Sequence, residues 1–144
     1  MRAPSPRNRR RRNEAIADWE EPEKNGWNVD FDAGVQHGPT TRGFDYYFGI
    51  SASNNMPPYC FIENDRVVGR PTEHKDPIHD AQHDAPTVPG WRDEEVGPTL
   101  TAKAQEWLTD HRRNHPDRPF FLYLPSEAPH PPCVPPARFR GQSG

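Results

Sequence analysis

Pro119-Phe120-Phe121-Leu122-Tyr123-Leu124-Pro125 is the stretch on which the fold turns. Its consecutive apolar residues, with no polar alternation, read as a strand covered on both faces, as in a parallel sheet flanked by helices. Just upstream the periodicity changes: Leu100, Ala104, Trp107, Leu108 and His111 recur at helical spacing. Thr99 or Thr101 is placed to cap this helix after Pro98, and Arg112 and Arg113 fall in its last turn, where cations complement the helix dipole. A helix leading into a buried strand is half of a βαβ unit, so the expected class is α/β.

Working outward, Tyr59-Cys60-Phe61-Ile62-Glu63-Asn64-Asp65-Arg66-Val67-Val68 reads as a β-hairpin. β-Branched and aromatic residues flank a Glu63 to Arg66 turn in which Asn and Asp tolerate the required backbone. Gly43 to Ile50 packs Phe44, Tyr46, Tyr47 and Phe48 into five positions, too many rings for one face, and is expected to wedge between other elements. Residues 13 to 43 carry turn signals at Glu21-Pro22, Asn25-Gly26 and Gly38-Pro39 and read as loop. Pro71 to Pro98, with prolines at 71, 77, 86, 89 and 98, is expected to be one long loop.

Leu, Ile, Val and Phe make up 22 of the 144 residues. That is about 15%, below the roughly 20% at which chains struggle to bury a core. Yet a net charge of only −3, with 4 Trp, 4 Tyr and 7 Phe, is a poor fit to full disorder. A piece of a larger domain reconciles the two, and such a piece is expected to unfold with poor cooperativity. The Phe120 to Leu124 run is far too short to span a membrane. Cys60 and Cys133 have neither a disulfide-framework nor a zinc spacing. Residues 1 to 12 hold six arginines and no acid, which leaves −9 on the remainder. The tract reads as a solvated tail, foreign to the fold if the start is misassigned; an arginine-rich nucleic-acid or acidic-partner binder is the rival reading.

Two clusters are candidates for chemistry. His74, His79 and His83 interleave with Asp76, Asp80 and Asp84, residue types that ligate zinc or another transition metal. Their spacing fits no helix face and Pro77 interrupts it, which favours a solvated acidic loop. The other is His130 in Pro125-Ser126-Glu127-Ala128-Pro129-His130-Pro131-Pro132, directly after the run. Ligands bind beyond the carboxyl ends of strands in open α/β sheets. Prolines on both sides of His130 limit its backbone, and imidazole either donates to an anionic oxygen or moves a proton near neutral pH.

Taken together, Gly38-Pro39-Thr40-Thr41-Arg42-Gly43-Phe44-Asp45-Tyr46-Tyr47-Phe48-Gly49, Met56-Pro57-Pro58-Tyr59, Ile62 to Arg66, Pro98-Thr99-Leu100-Thr101, Pro119 to Pro125 running into Ala128-Pro129-His130, and the tail Pro135 to Gly144 closely resemble the middle of the arylsulfatase family, in order. The likeness covers about residues 25 to 144, which are expected to form the middle of a sulfatase domain, with 1 to 24 a disordered segment. The resemblance implies an alkaline-phosphatase-like α/β fold and hydrolysis of sulfuric esters, small-molecule or carbohydrate. It also implies calcium, a formylglycine nucleophile made from Cys or Ser in Cys/Ser-x-Pro-x-Arg, and a periplasmic, secreted or lysosomal location. By the same resemblance, His130 contacts the sulfate or leaving-group oxygen.

The chain departs from that pattern in what it lacks. Cys133-Val134-Pro135-Pro136-Ala137-Arg138 puts its arginine at +5 instead of +4 and follows His130 instead of preceding it, so Cys133 reads as a loop residue. The nucleophile and calcium ligands are expected outside this chain, which is then inactive alone. A related phosphate-ester hydrolase remains the alternative chemistry, because fold likeness does not separate the two.

Overall fold

The computed structural model describes residues 26–78, 82 and 84–142. The arginine tract, His79, Asp80, His83 and the last two residues lie outside them. A three-stranded antiparallel sheet has the order β1 (Phe48–Ile50), β2 (Phe61–Glu63) and β3 (Arg66–Val68). A separate antiparallel pair joins β4 (Glu73–Lys75) to β5 (Ala85–Thr87). One long helix follows, α1 (Val96–Asn114).

The hairpin is where the sequence puts it, with a tighter turn. Glu63 and Arg66 face each other as the last strand pair, leaving Asn64-Asp65 as a two-residue connection. Asn64 takes φ 55, a left-handed conformation that asparagine adopts more readily than most residues. Its backbone N–H donates to Tyr47 O at 2.8 Å, and its side-chain oxygen accepts from Tyr47 N at 3.1 Å. That pair of bonds brings the aromatic segment alongside.

The aromatic segment accordingly does not wedge. Phe48–Ile50 forms β1, with Gly49 opposite Ile62, and Phe48 stacks on Phe61 with ring centroids 5.1 Å apart. The rings find different partners because the strand alternates faces. Tyr46 donates to Glu63 Oε1 at 2.6 Å, while Tyr47 folds back over Gly49 and donates to Ile50 O at 2.9 Å.

The 71 to 98 segment is likewise more than loop. Tyr59 bridges in parallel to Thr87, donating to Pro86 O and accepting from Val88 N, both at 3.0 Å, so β5 is tied to the lead-in of β2. Beneath it lies a buried polar knot. Asp93 accepts from Trp91 Nε1 and Gln82 Nε2, each at 2.8 Å, and pairs with Lys75 Nζ at 3.1 Å. The Lys75 ammonium also sits 4.5 Å from the centre of the Tyr59 ring. Pairing on this scale is what lets a carboxylate as enclosed as Asp93 stay in the interior. The apolar core is correspondingly small: Tyr59, Cys60, Ile62, Ala85 and Val96.

α1 begins at Val96, three residues before Thr99 and five before Thr101, the two expected caps. A 3₁₀ turn at Asp93–Glu95 runs into Val96, and Pro98 sits in the first turn, where its missing N–H has no intrahelical partner to lose. Thr101 instead bonds back to Gly97 O at 2.9 Å. Leu100, Ala104, Trp107, Leu108 and His111 do line one face, half-buried. Lys103 links that face to the sheet, 3.6 Å from Glu63 and 5.3 Å from the Phe48 ring centre.

The Phe120 to Leu124 run differs most from expectation. It is exposed, from 39% at Leu122 to 76% at Phe121, and belongs to neither sheet. Among the described residues its backbone makes no hydrogen bond. Phe120 packs edge-on to Trp107 and His111, and Phe121 lies 6.3 Å from Phe44. A segment so apolar on both faces is buried only where something covers both faces, and the described residues supply two rings against Phe120 and one near Phe121.

Candidate functional site

His130 sits in the loop that leaves this run. The loop is held by short-range contacts: His130 N donates to Glu127 O at 3.0 Å, Ala128 N to Ser126 Oγ at 3.2 Å, and Cys133 Sγ to Pro129 O at 3.1 Å. The Ala128-Pro129 and Pro131-Pro132 peptide bonds, both cis, bracket the histidine. Its Nδ1 lies 2.7 Å from Pro131 O. A carbonyl only accepts, so Nδ1 carries the proton and Nε2 carries the lone pair in the neutral ring. The side chain is exposed. Nε2 therefore takes up a proton, or as imidazolium donates one, on the open side of the loop.

Glu127 gives the loop its seat, a role the sequence reading missed. Its carboxylate lies against the first turn of α1 at Gly97, where a side chain's Cβ would come within 2.5 Å of Oε1. Gly97 precedes Pro98, ahead of the helical stripe that begins at Leu100, so the sequence carries no signal for this contact. A carboxylate at a helix amino terminus is also favourably placed in the dipole field.

Cys133 is exposed and bonded to its own loop, with no base beside it in the described contacts. Cys60 is fully buried, and burial pushes its thiol up to about 11. Neither thiol is set up as a nucleophile.

Among the described residues, His74, Asp76 and Asp84 alone group three potential metal donors, all within 4.8 Å of one another. They stand on β4, just after it, and just before β5. Calcium takes oxygen ligands only, so this nitrogen-containing set does not fit the calcium centre that the resemblance implies. The two clusters singled out in the sequence thus fall on separate elements.

No protein-family model matches the chain. In sequence it is similar to the N-acetylgalactosamine-6-O-sulfatase of Bacteroides thetaiotaomicron, 28% identical over 81% of this chain and 29% of the relative. In structure it matches a sulfatase solved in work on glycosaminoglycan metabolism by the same organism, with a TM-score of 0.62 and 25% identity. That match covers 81% of this chain and 31% of the other. The fold is a mixed helix and strand arrangement that matches part of a sulfatase fold, and both comparisons place the likeness with sulfatases. It spans about three-tenths of the length of the relatives it matches.

Proposed function

We propose that this chain is the middle portion of a sulfuric ester hydrolase and that residues 26 to 142 serve to present His130 to a sulfate ester. The observation that supports this most is the TM-score of 0.62 to a sulfatase over four-fifths of the chain, taken with a loop that exposes Nε2 of His130 while Nδ1 is committed to Pro131 O. As the imidazolium, a ring held this way meets the need of ester cleavage: its Nε2–H donates to an oxygen on which negative charge grows. The nucleophile and calcium of such an enzyme would supply attack on sulfur and neutralise the sulfate oxygens. The substrate class is a sulfated carbohydrate in preference to a simple aryl sulfate, because the matched curated relative is an N-acetylgalactosamine-6-O-sulfatase.

The test is a chimera in which residues 26 to 142 replace the aligned segment of that Bacteroides enzyme, assayed on 6-sulfated N-acetylgalactosamine. We expect the chimera to hydrolyse it, His130→Ala to lose about 100-fold or more in kcat, and the 144-residue chain alone to be inactive. Hydrolysis by the chain alone would sink the division of labour, and an active chimera indifferent to His130→Ala would remove the histidine's role.

A further inference from the structure

The β4–β5 hairpin carries a second cluster that stands independently of the sulfatase reading. His74 lies mid-strand in β4, opposite Pro86, and Asp76 follows two residues later. Asp84 immediately precedes β5. Nδ1 of His74 is 3.7 Å from Asp76 Oδ1, and its Nε2 contacts Asp84 Oδ1. The Trp27 ring stacks on the imidazole, centroids 5.7 Å apart at 23°, which fixes the ring plane.

The imidazole distinguishes this group from ordinary surface carboxylates. A neutral imidazole has one N–H and one lone pair. With a carboxylate oxygen at each ring nitrogen, one of the two always faces a lone pair with negative charge. A divalent cation among the three groups relieves that opposition, as a second ring proton also would.

The donor types select the metal. One imidazole nitrogen with two carboxylate oxygens suits zinc and its first-row neighbours, while calcium and magnesium favour all-oxygen sets. Zinc holds such donors at about 2.0–2.2 Å, so the 4.8 Å spread has to tighten. Asp76, with 72% of its side chain exposed, stands on the solvent side of the group, while His74 is steadied by Trp27. We propose that His74, Asp76 and Asp84 bind a zinc-type divalent ion that clips the end of β4 to the start of β5.

The experiment is zinc chloride titration of the metal-stripped 144-residue chain, read by calorimetry and by ¹⁵N NMR of the imidazole nitrogens. The expected result is one saturable event that shifts a His74 ring nitrogen. His74→Ala and Asp84→Asn should each weaken it tenfold or more, while His115→Ala leaves it unchanged. Absence of saturable binding, binding unaltered by His74→Ala, or tighter binding of calcium than of zinc would overturn the proposal. So would a His74 ring that titrates with pH but does not respond to zinc. The NMR signature is read on the unaltered chain and holds even where a variant fails to fold.

Discussion

Glu127 occupies the space that a side chain at Gly97 would need, so the loop bearing His130 rests on the first turn of α1. Gly97→Ala would gain helix propensity, about 1 kcal/mol, and push aside only the end of a flexible side chain. The expected outcome is a helix as stable or more so, with a loosened loop. Hydrogen exchange should show unchanged or slower exchange within α1 and faster exchange at His130 N, which bonds to Glu127 O.

Asp93 gathers Trp91, Gln82 and Lys75 around one buried carboxylate. Removing it with Asp93→Ala strands a lysine whose side chain is only 12% exposed. The cost of breaking such a pair is about 3–5 kcal/mol. Exchange protection at Val88 N, which ties β5 to Tyr59, should collapse, whereas Arg70→Ala at the exposed Asp32 pair should leave it within a factor of a few.

Gly49 lies under the ring of Tyr47, and an added Cβ would meet its hydroxyl at 2.6 Å and its ring carbon Cζ at 2.9 Å. Gly49→Ala should destabilise the β1–β2 pairing by about 1–3 kcal/mol, the usual range for overpacking. The double variant Gly49→Ala with Tyr47→Ala should recover part of the β1 exchange protection, because the obstructing ring is gone.

The two thiols should label in sequence. Burial holds the Cys60 thiol protonated, with its ionisation pushed up to about 11, while Cys133 is exposed. At pH 8 a thiol reagent should modify Cys133 rapidly and Cys60 only at the rate at which the hairpin opens, so mass spectrometry of a short pulse should find a single adduct at Cys133.

Glu63 ionises below the ordinary carboxylate range because Tyr46 donates to it and Lys103 lies nearby. A carboxyl lowered on folding adds stability above its unfolded value, and that stability disappears as the pH falls through the folded value. The protection that wild type shows over Glu63→Gln at β2 amides should therefore hold at pH 7 and shrink steadily below about pH 4.3, the ordinary Glu value. Tyr46 moves the other way, raised first by burial and then by Glu63. Its contribution is complete below its ordinary value near 10 and is lost only as the pH rises through the higher folded value.

What the sequence disclosed was whatever one element settles by itself. The Asn64-Asp65 turn and the helical stripe from Leu100 to His111 are local patterns, and both stand where the residues put them. β1 was hidden because Phe44, Tyr46, Tyr47 and Phe48 look alike in sequence and diverge only once Asn64 bonds to Tyr47. β4 and β5 were hidden because proline at 86 argues against a strand; here its carbonyl is the useful group, accepting from Tyr59 N. The start of α1 was misplaced for a similar reason, since Pro98 read as a boundary and is a first-turn residue. His130 was legible as a residue, but the seat that Glu127 provides against Gly97 is a long-range fit that no spacing rule contains.

The bare Phe120 to Leu124 run has a practical consequence for anyone handling the protein. Among the described residues its backbone makes no hydrogen bond, its side chains are exposed, and none of its five residues carries a charge. Such a segment is a template on which identical segments stack. Raising the concentration is therefore expected to shorten the time that preparations of this chain stay monodisperse, and a charged residue at Phe121, the most exposed ring, is the substitution expected to lengthen it.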